Sequence, residues 1–399
     1  MWLKKLPKIE GKIRRTKNSI YETGDYAGFF QRLVGQKIKI RDKKSPCRHR
    51  CELVVETSIE KQIFELLRTV LPDLEERLDE RYLVLRAVNF LQPIGRRTLS
   101  DYLSTGERIV RSIVEVLKEQ HLVEVTPLGI VTTEKGKDTL WKLKEYIEKI
   151  KGIEKLEKQI AGKYQLQKAV VVAGDADKDL GVKQEMCTAA AEILLEVLKP
   201  GNILAVSGGT TMAMVADSMD ALTKSIDITV VPARGGLGED VEKQANTVAA
   251  KLAKALGGSY RLLHVPDVLE EELLKPLLSS TPISDVIDLI KRADVLLHGI
   301  GTAEEMAQRR GLHPELWQSI VDKGAVGEAF GYYFDSSGRI VHTTPSAGLR
   351  LEDLANIKVC IAVGGGMSKA EAIEAFLKVA SVDIVVTDEA VARELAQDN

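Results

Sequence analysis

Cysteine is scarce in this chain, four in 399 residues, and the four are scattered. That excludes a disulfide framework and points to a reducing compartment. No uninterrupted apolar run reaches the about 18 residues of a membrane span. The opening stretch, MWLKKLPKIEGK, lacks the apolar core of a secretory leader, so the chain reads as cytoplasmic. A large net charge is missing too, at −2 overall, but the balance hides an asymmetry. Residues 1–51 hold 15 Lys/Arg against 4 Asp/Glu, a surplus of +11, so the remaining 348 residues carry −13. A basic end on an acidic body fits a polyanionic partner for the first part alone. What is present, 44% hydrophobic and 29% charged residues over 399 positions, describes a globular chain of two or three units.

Residues 1–55 have weak periodicity and read as a poorly ordered basic arm. Cys47, His49 and Cys51 cluster there, but a second Cys/His pair is lacking, so no zinc site is expected. The arm either adds non-specific DNA affinity or is an extension without a role.

Residues 56–135 read as a winged helix-turn-helix. Ile59, Ile63, Leu66, Leu67 and Val70 recur at helical spacing until Pro72. A second helix runs roughly from Leu78 to Leu91, with Leu83, Val84, Ala87, Val88 and Leu91 on one side, and Pro93 ends it. IGRRTLSDYL follows as a short helix with Leu99 and Leu103 inward. In STGERIVRSIVEVLKEQHLV, Ser104 and Glu107 have capping-box spacing, and Ile109, Ile113, Val116 and Leu117 form the expected buried stripe. Two short strands around Pro127–Gly129 would be the wing. The capped helix would enter the major groove by its N-terminal half, presenting Thr105, Arg108, Arg111 and Ser112. Arg96 and Arg97, in the connection between the first and second helices of the motif, would reach the DNA backbone. The plainer alternative is a helical packing module with ordinary surface arginines.

Residues 136–165 read as a linker helix, and a strongly charged helical run covers 133–160. Its seam of Leu140, Leu143, Ile147, Ile150, Ile153 and Leu156 suggests contact with a partner subunit in a homo-oligomer. Residues 166–399 then alternate helices with apolar strand candidates: Ala169–Ala173, Ile203–Ser207, Ile228–Pro232, Tyr260–Val265, Val295–Gly299, Val359–Val363 and Ile384–Thr387. Such runs suit a parallel sheet covered on both faces, an α/β domain of Rossmann-like type. YYFDSSGRIVH, within Ala329–His342, reads as an inserted hairpin.

The glycine-rich strand ends carry the chemistry. In LAVSGGTTMAMVAD, Leu204–Asp217, a strand turns on Gly208 and Gly209 into a helix that opens with Thr210 and Thr211. Free N–H groups at a helix start, with two hydroxyls, suit an anion, although a tight turn that binds nothing has the same pattern. A Walker lysine is absent. VPARGGLGED places Arg234 at the next strand end, HGIGTAEEMAQRR places Arg309 and Arg310, VGGGMSKAEA places Lys369, and the insertion contributes Glu328. Cations gathered at one end of a sheet need an anion between them. The expected ligand is a small molecule with one or two phosphates and several hydroxyls.

The stretches PIGRRTLSDYL, GDADKDLGVKQEM, SGGTT, VPARGGLGEDVEKQAN, YRLLHVP, HGIGTAEEMAQRR, EAFGYYFDSSGRIVH and GGGMSKAEAIEAF resemble bacterial repressors of the SorC/DeoR group, from about Thr69 onward. The resemblance implies a winged helix-turn-helix joined to an effector domain similar to sugar-phosphate isomerases and deaminases. It implies repression of an operon for triose-phosphate glycolysis, relieved by fructose 1,6-bisphosphate, and a tetramer on double-stranded DNA that the inducer loosens. By motif it assigns effector contacts to Gly208, Gly209, Thr210, Thr211, Arg234, Arg309, Glu328 and Lys369, and less directly to Gln244. Met367 departs from the expected pattern and would alter the pocket's shape. No metal or cofactor is implied. An isomerase or deaminase, with Glu328 or Asp175 as base, is the alternative, but no Asp/His/Glu set has deaminase spacing.

Overall fold

The computed structural model describes residues 69–219, 225–236, 240–267, 272, 276–277 and 279–397. The basic arm with Cys47 and Cys51, and all but the last two residues of the helix expected over Ile59–Val70, lie outside them. The chain divides into Met1–Asp79 and Glu80–Asn399. Of the first unit, the described part includes the start of helix α1 (Leu74–Leu91), where Arg77 pairs with Asp73 at 2.6 Å.

In the second unit, α1 continues into α2 (Arg96–Tyr102) and α3 (Glu107–Glu119), then a two-stranded wing, β1 (Val123–Thr126) and β2 (Gly129–Thr132). The wing pairs antiparallel, Val123 opposite Thr132. Val84, Ala87, Val88, Leu99, Val110, Ile113, Val114, Leu117, Val123 and Ile130 form its core. Burying each of the larger ones contributes about 1.5–3 kcal/mol.

Two details of α3 differ from expectation. Ser104 does not cap it: Gly106 is the N-cap, without a side-chain bond, and Ser104 has φ +47°. Ser104 instead closes α2, its N–H donating to the Asp101 carbonyl, so the turn consumes the residue that the spacing offered as a cap. The buried stripe is Val110, Ile113, Val114 and Leu117; Ile109 is 48% exposed and Val116 half-buried. The inward face is thus turned by one residue, which keeps the i, i+3, i+4, i+7 spacing. Arg96 and Arg97 are the first residues of α2 rather than part of a connection.

The charged linker is two helices, α4 (Glu134–Lys151) and α5 (Ile153–Lys163), broken at Gly152, whose φ of 67° is left-handed. Glycine takes that conformation without a Cβ penalty. Ile147, Ile153 and Ile160, with Leu140, Leu143 and Leu156 beside them, pack into the core of this same chain. The seam read as facing a partner is therefore occupied internally.

The larger domain is a seven-stranded parallel sheet in the order β3-β13-β12-β7-β4-β5-β6. These strands are β3 (Lys168–Val172), β4 (Ile203–Val206), β5 (Thr229–Pro232), β6 (Ser259–Tyr260), β7 (Val295–Gly299), β12 (Val359–Val363) and β13 (Ile384–Asp388). Strand β6 is shorter than the Tyr260–Val265 run; the chain beyond it is held by Asn246, which bonds both backbone groups of Leu263. Along β4, Leu204 and Val206 enter one apolar layer and Ala205 the other, so helices cover both faces. Flanking helices include α6 (Leu180–Val197), α7 (Thr210–Met219), α8 (Ala245–Leu256), α9 (Thr281–Lys291), α10 (Ala303–Arg309), α11 (Pro314–Asp322), α12 (Ala370–Val379) and α13 (Glu389–Leu395). The expected hairpin is part of a four-stranded antiparallel sheet: β8 (Gly301–Thr302), β9 (Ala325–Ala329), β10 (Tyr332–Asp335) and β11 (Ile340–Thr343). No described helix is long and apolar enough to cross a membrane.

Candidate functional site

On the winged domain, Arg96, Arg97, Arg108, Arg111 and Ser112 are exposed and Thr105 is half-buried. Thr105 turns its hydroxyl to the Leu103 carbonyl, and Ser100 donates to the Thr105 carbonyl. Thr105 therefore shapes the turn, while Arg108, Arg111 and Ser112 stand on the open side of α3, opposite Val110 and Val114.

All nine residues expected to hold the effector line one cleft at the carboxyl ends of the parallel strands: Gly208, Gly209, Thr210, Thr211, Arg234, Gln244, Arg309, Glu328 and Lys369. It is an open cleft, with about 980 Å³ of space when the solvent at its mouth is included. Its wall is the start of α7. Gly208 permits close approach, since a Cβ there would lie 2.7 Å from the Lys243 carbonyl oxygen. Gly209 has φ +112° and donates its N–H to that carbonyl at 2.7 Å, so this one N–H is committed internally. The next N–H groups, from Thr210 on, belong to the first helical turn and have no intrahelical partner. Facing them is Arg309, whose Nη1 is 3.8 Å from the position a Gly209 Cβ would take, and which contacts Met306 Sδ at 3.4 Å.

The floor is a charge-balanced quartet. Arg234 Nε lies 2.8 Å from Asp267 Oδ1, and its Nη1 3.6 Å from Glu328 Oε1. Arg310 Nη2 reaches Glu328 Oε1 at 3.0 Å and Asp267 Oδ2 at 3.3 Å. All four side chains are at most 8% exposed. Glu328 also accepts the Gly331 N–H, and Arg234 donates to Ser346 Oγ. Burial pulls Arg234 below the usual guanidinium range; for Arg310, burial is outweighed by Glu328 and Asp267, which raise it. Arg234 is thus not one of several unpaired cations, and Arg234, Arg310 and the Gly331 N–H all meet Glu328 at its Oε1. Two arginines and two carboxylates neutralise each other where an unpaired charge would cost several kcal/mol.

Lys369 follows the Gly364–Gly366 turn, and its Nζ is 2.8 Å from Glu305 Oε2 in the first turn of α10. Burial raises the Glu305 pKa, but Lys369, then Arg309 and Lys183, bring it below the ordinary range. Met367 is 48% exposed and does not line the cleft, so this departure leaves the cleft's shape alone. Lys183, Asp267 and Glu305 are lining residues that were not expected, and Arg310, placed at a strand end by its motif, was not assigned to the ligand. Among the described residues, no group of His, Cys, Asp or Glu is placed to hold a metal.

Known proteins match both halves. A family model for the "CggR N-terminal DNA binding domain" covers residues 78–147, and one for the "Putative sugar-binding domain" covers 148–397. The central glycolytic genes regulator of Priestia megaterium is 42% identical over 339 residues, spanning 85% of this chain and 99% of the relative. That of Bacillus subtilis is also 42% identical, spanning 84% of this chain and 99% of the relative. A SorC family transcriptional regulator structure from Enterococcus faecalis matches with TM-score 0.57 and 39% identity, covering 61% of this chain and all (100%) of that one. The full-length sorbitol operon regulator SorC of Klebsiella pneumoniae shares the fold at TM-score 0.56 and 18% identity, over 80% of this chain and 100% of that one. These relatives are transcriptional regulators, which sets the isomerase or deaminase alternative aside. A winged DNA-binding domain followed by a sugar-binding cleft, with identity along nearly the whole of two relatives, shows that the chain belongs to the central glycolytic genes regulator family of sugar-binding transcriptional regulators.

Proposed function

We propose that the protein represses a glycolytic operon and is released from double-stranded operator DNA by fructose 1,6-bisphosphate bound in the cleft. The reading rests on one arrangement: the start of α7, with the Thr210 and Thr211 hydroxyls, facing Arg309 in the cleft that Lys369 also lines. Helix-start N–H groups and a guanidinium are complementary to a phosphoryl group. The cleft is open at its mouth, and Lys183, Gln244 and Lys369 line it beyond that subsite, offering polar partners for a sugar and a second phosphate. The names of the relatives supply the glycolytic context.

Release requires only that the sugar bisphosphate bind the low-affinity form of the homo-oligomer, dimer or tetramer, better than the DNA-bound form. DNA and ligand then oppose one another reciprocally. The mechanism needs no cofactor or metal and takes place in the cytoplasm. Fluorescence anisotropy of the protein on DNA from its own upstream region tests it, with fructose 1,6-bisphosphate titrated at fixed salt and fructose 6-phosphate as control. Release by the bisphosphate alone is expected; specific binding that no sugar phosphate relieves would refute the effector.

A further inference from the structure

Glu305 is a carboxylate inside a cleft built for an anion. It lines that cleft together with Lys183, Arg309 and Lys369. Its Oε2 holds the Lys369 ammonium at 2.8 Å, and its side chain keeps 44% exposure, so it is free to leave. The other cleft carboxylates behave differently: Asp267 and Glu328 are 2% and 3% exposed and locked to Arg234 and Arg310. The floor quartet is therefore structural, whereas the Glu305–Lys369 pair lies at the accessible rim of the phosphate-binding wall. Thr302 is the N-cap of α10 and accepts the Glu305 N–H at 3.2 Å, which fixes the backbone from which the Glu305 side chain reaches Lys369.

We infer that Glu305 is an internal competitor for the phosphate subsite, occupying Lys369 until a phosphoryl dianion displaces it. This rests on the sugar-phosphate reading above. A carboxylate presents one negative charge and two oxygens; a phosphate monoester presents up to two charges and three oxygens, so it outcompetes the carboxylate for the same lysine. Neutral sugars and monoanionic acids do not, and the lysine stays closed to them. Glu305 thereby sets the ligand concentration at which the regulator responds and confines the response to phosphorylated sugars.

The test is calorimetric titration of the full chain and of Glu305→Gln with fructose 1,6-bisphosphate, fructose 6-phosphate and inorganic phosphate. Glu305→Asp serves as a charge-retaining control, and unfolding midpoints check that each variant folds. Removal of a competing charged hydrogen bond is expected to tighten all three ligands by a common factor of about ten in Glu305→Gln, with Glu305→Asp close to the parent. A merely structural role for Glu305 would weaken them instead. If the parent binds the bisphosphate and Glu305→Gln binds it equally or more weakly, the inference is overturned and the effector reading stands. If neither protein binds any of the three, the reading itself falls.

Discussion

Arg86, on the helix that opens the winged domain, and Asp179, the N-cap of α6 in the sugar-binding domain, form a buried ion pair with side chains 5% and 9% exposed. Tyr102 of α2 joins it, donating its hydroxyl to Asp179 Oδ1 at 2.9 Å and accepting the Gly181 N–H at 2.9 Å. The loop that Asp179 ends is the one whose Asp177 accepts the N–H of Ser368 at 2.7 Å, beside Lys369. The two functional regions thus meet at one short loop. Asp179→Ala leaves the Arg86 guanidinium buried with only Glu185, 3.9 Å away, as a counter-charge. Destabilisation of about 3–5 kcal/mol is expected. Denaturant unfolding of the two proteins measures it, and equal midpoints would show that the pair contributes nothing.

Arg234 and Arg309 share the cleft but should fail differently. Arg234→Ala strips a guanidinium from a buried quartet and leaves Asp267 and Glu328 facing Arg310 alone. A loss of about 3–5 kcal/mol of folding stability is expected, whether or not ligand is present. Arg309→Ala should lower the unfolding midpoint less than Arg234→Ala does and weaken bisphosphate by about 1.5–3 kcal/mol, giving a repressor that holds DNA and ignores ligand. Paired thermal melts and anisotropy titrations separate the two; a stable Arg234→Ala would show the quartet to be dispensable.

On the winged domain, Arg108→Ala and Arg111→Ala should each weaken operator binding by about 1–3 kcal/mol at fixed salt. Both are exposed on the open side of α3, so stability should not change. Unchanged affinity would remove the residue concerned from the DNA face.

His298 lies on β7, wholly buried between Phe330 and Phe376. Its Nδ1 is 3.1 Å from the Gly299 carbonyl, which can only accept, so the neutral ring carries its proton there. Burial lowers its pKa from 6.5 to about 4. Between those values the unfolded chain binds the proton and the folded chain does not, so stability falls as pH drops through that window. The loss approaches about 3 kcal/mol near pH 4. His298→Asn should flatten this part of the stability–pH curve; an unaltered slope in acid titrations monitored by denaturant unfolding would disprove the assignment.

The parts that were legible in the sequence are local. Six of the seven parallel strands lie within a residue of the apolar runs, and two of these, Val295–Gly299 and Val359–Val363, coincide with them. A strand that ends in glycines and restarts as a helix puts those glycines at the strand's carboxyl end, so SGGTT and GGGMSK by themselves mark a cleft at that end of the sheet. Side-chain partners were not legible in that way. Ser104 and Glu107 have capping spacing, yet the turn claims Ser104; the apolar seam through Leu143 and Ile153 looks the same whether a partner or this chain's own sheet covers it.

The order of helices and wing, the parallel strands and the motifs that gather at one end of the sheet were determined by the sequence itself, because periodicity and turn chemistry act over a few residues. Tertiary structure alone decided which charges meet. Arg86 and Asp179 are 93 residues apart, and no spacing rule links Arg310 to Asp267 or Glu305 to Lys369. Burial makes each of those pairs obligatory or exchangeable: where water is excluded the carboxylate is locked to its arginine, and where it is admitted, as at Glu305, the same chemistry remains open to a ligand.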